Sequence, residues 1–70
     1  MPKIHSTITG SVIAVHAVPG QILAIDDEVA VLESMKMEIP VRAETAGRVC
    51  EVLVKPGDVV QEGDALVLLA

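Results

Sequence analysis

Short apolar runs alternate with polar residues along this chain, and glycine, proline or aspartate punctuates them. That pattern predicts strands joined by tight turns. Lys3 to Ile8 alternates roughly and reads as a first strand, and Gly10 to Val15 as a second. Pro19-Gly20 is a turn, because proline presets φ at its first central position and glycine supplies positive φ at the next. A short strand over Gln21 to Leu23 follows, and Asp26-Asp27 turns the chain into a strand over Glu28 to Ser34. Met37 to Arg42 is the next, then a loop over 43–46 and a strand over Gly47 to Val52. Pro56-Gly57, Asp58-Val59-Val60 and Glu62-Gly63-Asp64 lead to a last strand, Ala65 to Leu69.

Between the fourth and fifth strands lies Glu33-Ser34-Met35-Lys36-Met37-Glu38. With Met35-Lys36 as a two-residue turn, opposed residues have numbers summing to 71. Leu32 then faces Ile39 and Ala30 faces Val41 on one side of the sheet, as a half-buried antiparallel pair requires. A one-residue slip would send every side chain to the other face. The tip itself is written against folding preference. Two-residue turns favour Asn-Gly or Gly-containing pairs, because the central residues need positive φ. Glu33 is also set opposite Glu38, a like-charge pair. Two flexible methionines flank an exposed amine, a composition suited to contact with a partner. The tip is therefore read as a presented lysine. Two blander readings fit the same residues: a solubilising charge on a hairpin, or a local helix ended by Pro40.

An internal repeat favours the strands. Adding 37 to a residue number takes Gly10 to Gly47, Val12 to Val49, Pro19 to Pro56, Gly20 to Gly57 and Asp27 to Asp64. Each half, about 1–34 and 37–70, is a unit that cannot bury its own apolar face, so the two must pack together. Residues 1–70 thus form one all-β domain, a flattened barrel or sandwich, with the Met35-Lys36 tip at the junction. A two-fold arrangement puts that tip at one end and the chain termini at the other.

Composition narrows the function. Seventy residues bury only about 60% of their unfolded surface. A single cysteine allows no internal disulfide, so the core rests on Val, Ile and Leu. A net charge of -5 and the absence of Phe, Tyr and Trp argue against nucleic acid. No apolar run could cross a bilayer, and no signal-peptide pattern is present. A cytoplasmic protein, without a membrane partner, is expected.

The hexad with Ile39-Pro40 resembles the biotin-attachment motif of biotinyl domains, usually Ala-Met-Lys-Met with a glutamate just before. Gly10-Ser11-Val12, Pro19-Gly20, Gly47-Arg48-Val49, Val54 to Asp58 and Glu62 to Leu66 are similar too, so the likeness covers nearly the whole chain. The resemblance implies two four-stranded antiparallel sheets related by a quasi-dyad, the fold of the biotinyl/lipoyl family. It also implies a biotin carboxyl carrier, itself not an enzyme. Biotin protein ligase would join biotin to Lys36 as an amide, and the arm would then swing between biotin carboxylase and carboxyltransferase sites. Met35 and Met37 would form the surface the ligase reads, or merely close the hairpin. Glu33 and Glu38 would aid ligase discrimination, or serve as ordinary surface charge. A lipoyl carrier on the same fold usually shows Asp-Lys-Ala around its lysine, and an unmodified interaction module is the third alternative.

Some positions depart from the pattern. Ser34 replaces the usual alanine and, without a histidine or acid constellation, is given no nucleophilic role. Ile8-Thr9-Gly10 stands where many relatives have Met-Pro-Gly. No insertion separates Val15 from Pro19, so the thumb of some bacterial acetyl-CoA carboxylase carriers is not expected. No Ala/Pro-rich stretch precedes the domain, which suits an excised domain or a small free-standing protein. Cys50 maps by the repeat onto Ile13, which predicts a packed, inert thiol. His5 and His16 lack ligand spacing, and Asp26-Asp27-Glu28 reads as a solvated turn.

Overall fold

The structure, a computed structural model, describes residues 2–70. Eight strands form: β1 Lys3–His5, β2 Gly10–Val15, β3 Ile22–Leu23, β4 Glu28–Ser34, β5 Met37–Arg42, β6 Gly47–Val52, β7 Val59–Val60 and β8 Ala65–Leu69. They make two four-stranded antiparallel sheets, ordered β1-β8-β6-β3 and β5-β4-β2-β7. No helix among the described residues is long and apolar enough to cross a membrane.

The repeat is realised as a quasi-two-fold axis. Exchanging β1 with β5, β2 with β6, β3 with β7 and β4 with β8 turns one sheet order into the other. The core obeys the same exchange. Ile4 and Val41, Ser6 and Ala43, Val12 and Val49, Leu23 and Val60 are all buried, as are Val29 and Leu66, Ala30 and Val67, Leu32 and Leu69. Each sheet takes two strands from each half, β1 and β3 with β6 and β8 in one and β2 and β4 with β5 and β7 in the other, so neither half has a complete core alone.

Bulges let a strand of this length deliver more than alternate residues inward. At Val29 the β4–β5 register shifts, and both Val29 and Ala30 are fully buried. The β1–β8 pairing shifts at the equivalent Leu66, burying Leu66 and Val67 together. Strict alternation would have exposed one of each pair.

A second pair of bulges works in the opposite direction and corrects one expectation. The β2–β4 and β6–β8 registers shift at Ile13 and at Cys50. Val12 and Val49 take the inward positions, so Ile13 and Cys50 are turned out. Cys50 is an exposed thiol and not a packed one. The repeat maps it onto Ile13 correctly, but that position is itself 40% exposed.

The first strand also stops early, at His5 and not at Ile8. Buried Ser6 takes over: its hydroxyl donates to the Ile8 carbonyl and accepts from the Ile8 amide. Such local side-chain bonds compete with a ladder. The Ser6 backbone meanwhile bonds Asp64 and Gly63, at 2.8 and 2.9 Å. Gln21 likewise leaves the third strand, because its side-chain oxygen accepts from the Val18 amide and closes a turn.

Four such turns frame the barrel, starting at Val18, Ala24, Lys55 and Gln61. In each, the first carbonyl accepts from the fourth amide, and the third residue has positive φ: Gly20 89°, Asp26 74°, Gly57 97° and Gly63 92°. The fourth side chain (Gln21, Asp27, Asp58, Asp64) then accepts from the first residue's amide. Type II geometry needs that positive φ, and at Asp26 a short polar side chain substitutes for glycine. The chain ends lie in one sheet, where the Leu69 amide donates to the Pro2 carbonyl at 2.8 Å.

Candidate hairpin-tip site

The site is built on the β4–β5 hairpin. Ser34 pairs with Met37, Glu33 with Glu38, Leu32 with Ile39, Val31 with Pro40 and Ala30 with Val41, the register expected from the sequence. Leu32 and Val41 anchor the inner face in the core, fixing the ladder up to its last rung. Pro40 is tolerated because β5 is an edge strand, where its missing N–H breaks no ladder.

Met35 and Lys36 have φ of 53° and 65°. Two consecutive left-handed residues make a type I′ turn, whose twist matches that of the flanking strands. Neither residue is a natural choice for it. An L-residue with a full side chain in this region costs about 1–2 kcal/mol. The turn is held by the ladder beneath it, not by the preferences of its own residues.

Gly10 sets the position of the base of the tip. A Cβ there would come within 2.5 Å of the Glu33 carbonyl oxygen, so β2 approaches β4 as only glycine allows. Sequence reading used Gly10 as a repeat marker and missed this role. Its recurrence as Gly47 was the available clue, although a Cβ at Gly47 would meet the Leu69 side chain at a milder 3.3 Å.

The hairpin brings all six residues of the hexad to one tip. Lys36 is exposed, Met35 is 92% exposed and Met37 is 64% exposed. Glu33 and Glu38 are exposed and directly opposed across the ladder. Among the described residues, the side chains of Lys36, Glu33 and Glu38 enter no hydrogen bond or ion pair; the ion pairs lie elsewhere, at His16–Glu28 (2.8 Å) and Lys55–Asp58 (3.2 Å). Ser34 has no histidine beside it, and His16 is engaged with Glu28. No cluster of metal-ligating residues and no cavity occurs among the described residues.

Chemically, the tip holds one amine on a flexible stem, free of any internal partner. An exposed primary amine of this kind is open to an acylating reagent from the solvent side.

The chain is similar to several known proteins. A family described as "Biotin-requiring enzyme" matches residues 1–69. The chain is 48% identical over 63 residues to the biotin/lipoyl attachment protein of Bacillus subtilis, covering 90% of this chain and 86% of that protein. It is 44% identical over 66 residues to the mitochondrial propionyl-CoA carboxylase alpha chain of Sus scrofa, covering 94% of this chain but only 9% of that one. Among solved structures, the urea carboxylase of Kluyveromyces lactis superposes with a TM-score of 0.90 at 32% identity, covering 99% of this chain and 6% of the enzyme.

Proposed function

From a chain that belongs to the biotin/lipoyl attachment family, we propose a biotin carboxyl carrier in which Lys36 is the attachment residue. The observation that carries the proposal is Lys36 itself: an unpaired, exposed amine at a turn whose backbone its own residues disfavour. Residues 1–70 serve as one carrier domain.

A biotin protein ligase must bind the tip and take up the proton that the amine sheds as it attacks. Lys36 Nζ then forms an amide with the biotin carboxyl, and the activating group departs. Met35 and Met37 offer the ligase two adaptable apolar contacts on either side of the lysine. Glu33 and Glu38 offer it an unneutralised pair of carboxylates, which fits a cationic partner surface. Once acylated, Lys36 carries no charge, and its stem extends the arm beyond the turn.

When attached, biotin supplies the ureido nitrogen that carries a carboxyl group. The chain's own contribution is to present and tether it. Anchoring at one end of a rigid ladder raises effective concentration at a biotin carboxylase site and then at a carboxyltransferase site, with no new contact. Catalysis belongs to those partners and to the cofactor. On this reading the carrier works in the cytosol, where its exposed lone thiol at Cys50 stays reduced.

Lipoyl attachment is the second reading, favoured by the name of the Bacillus subtilis relative. Intact mass after incubation with a biotin ligase or a lipoate ligase separates the two, since each group adds a different mass. Lys36→Arg keeps the charge and the fold and should take up neither group. Biotin retained by that variant places the attachment elsewhere.

A further inference from the structure

The tip concentrates the oxidant-sensitive chemistry of this chain. There is no tryptophan or tyrosine, and of three methionines two flank Lys36. The turn holds both residues out, 92% and 64% exposed, and neither belongs to the core cluster. A third methionine, Met1, lies outside the described residues. The other reactive sulfur, Cys50, is on β6 and not on the hairpin.

We propose that Met35 and Met37 are a reversible oxidation site for peroxides, and that their oxidation closes Lys36 to acylation. The inference rests on the attachment reading given above. A peroxide transfers one oxygen atom to the thioether sulfur. Sulfur loses two electrons, the O–O bond breaks, and the peroxide leaves as water or an alcohol. A methionine sulfoxide reductase using a thiol reductant reverses the step. The product is a polar, chiral S=O group on each side of the amine. A ligase surface that desolvates the flanking side chains then buries an unpaired acceptor, which is costly. The fold is untouched, because neither side chain packs in the core.

The test uses the apo full chain carrying Cys50→Ser, treated with hydrogen peroxide and mapped by peptide mass for oxygen at Met35 and Met37. Biotin ligase, biotin and ATP are then supplied, and the initial rate is read by intact mass. Acylation of Lys36 by a small N-hydroxysuccinimide ester reports whether the amine itself stays accessible. The oxidised chain should be biotinylated roughly tenfold or more slowly. Ester reactivity should be unchanged, and sulfoxide reductases should restore the ligase rate. Met35→Leu with Met37→Leu should accept biotin, modestly more slowly than wild type, and be indifferent to peroxide. An oxidised chain biotinylated at the full rate overturns the proposal, as does peroxide sensitivity persisting in the leucine variant. Failure of the unoxidised chain to take biotin overturns the attachment reading itself.

Discussion

Replacing Met35-Lys36 by Asn-Gly tests whether the tip is shaped for presentation at the expense of stability. Both residues sit in the left-handed region, at φ of 53° and 65°. At about 1–2 kcal/mol per residue, relief at both positions bounds the gain at about 2–4 kcal/mol. Glycine returns about 0.5–1 kcal/mol through its freedom in the unfolded chain, and asparagine keeps part of the original cost. Little packing is lost, because Met35 is 92% exposed. The net expectation is a gain of about 1–2 kcal/mol, or roughly 4–8 °C in Tm per kcal/mol for a domain of this size. With no aromatic residue to fluoresce, unfolding is followed by far-UV circular dichroism in urea. The midpoint should rise while the slope stays constant. A midpoint at or below that of the wild type refutes the reasoning, for it would mean that the methionine and lysine side chains hold the turn. The companion Met35→Asn keeps the lysine and should gain about half as much.

Other outcomes follow from the quasi-dyad and the turns. Gly10→Ala should cost about 1–3 kcal/mol, because a backbone oxygen at 2.5 Å cannot yield as a side chain can. Gly47→Ala, facing a flexible leucine at 3.3 Å, should cost under about 1 kcal/mol, and equal losses in urea melts would contradict the contact geometry. Leu32→Ala and Leu69→Ala, both fully buried at equivalent positions, should each lose about 2–5 kcal/mol; a clear difference between them would show that the two halves pack unequally. The Asp58 carboxyl is held below its ordinary value of 3.8, first by the Lys55 backbone amide and then by the Lys55 side chain. A lowered folded pKa contributes stability above the unfolded value and loses it as pH falls through the folded one. The advantage of wild type over Asp58→Asn should therefore hold at neutral pH and fade below pH 3.8, and a gap that persists in acid would argue against that linkage.

Register and the position of the tip were legible in the linear chain because each is a local or periodic property, whereas the two-residue strand β7, Val59–Val60, was read only as part of the connection to the last strand. Side chains alternate along a strand, so Leu32 against Ile39 and Ala30 against Val41 left one consistent turn, Met35-Lys36. The offset of 37 likewise foretold which positions would be equivalent, as with Val12 and Val49 in the core. Equivalence did not say which way a position faces. Cys50 and Ile13 match in the repeat, yet both turn outward, because bulges displace the alternation at that point. Val29 and Leu66 turn inward for the same reason. A bulge is settled by how two strands fit against the opposing sheet, and no single strand records it. The same holds for Gly10, whose need for glycine comes from a carbonyl that is distant in the sequence and adjacent only once the sheet has formed. The chain by itself determined where a lysine would be offered; the interleaving of the two halves in both sheets decided how firmly it is held there.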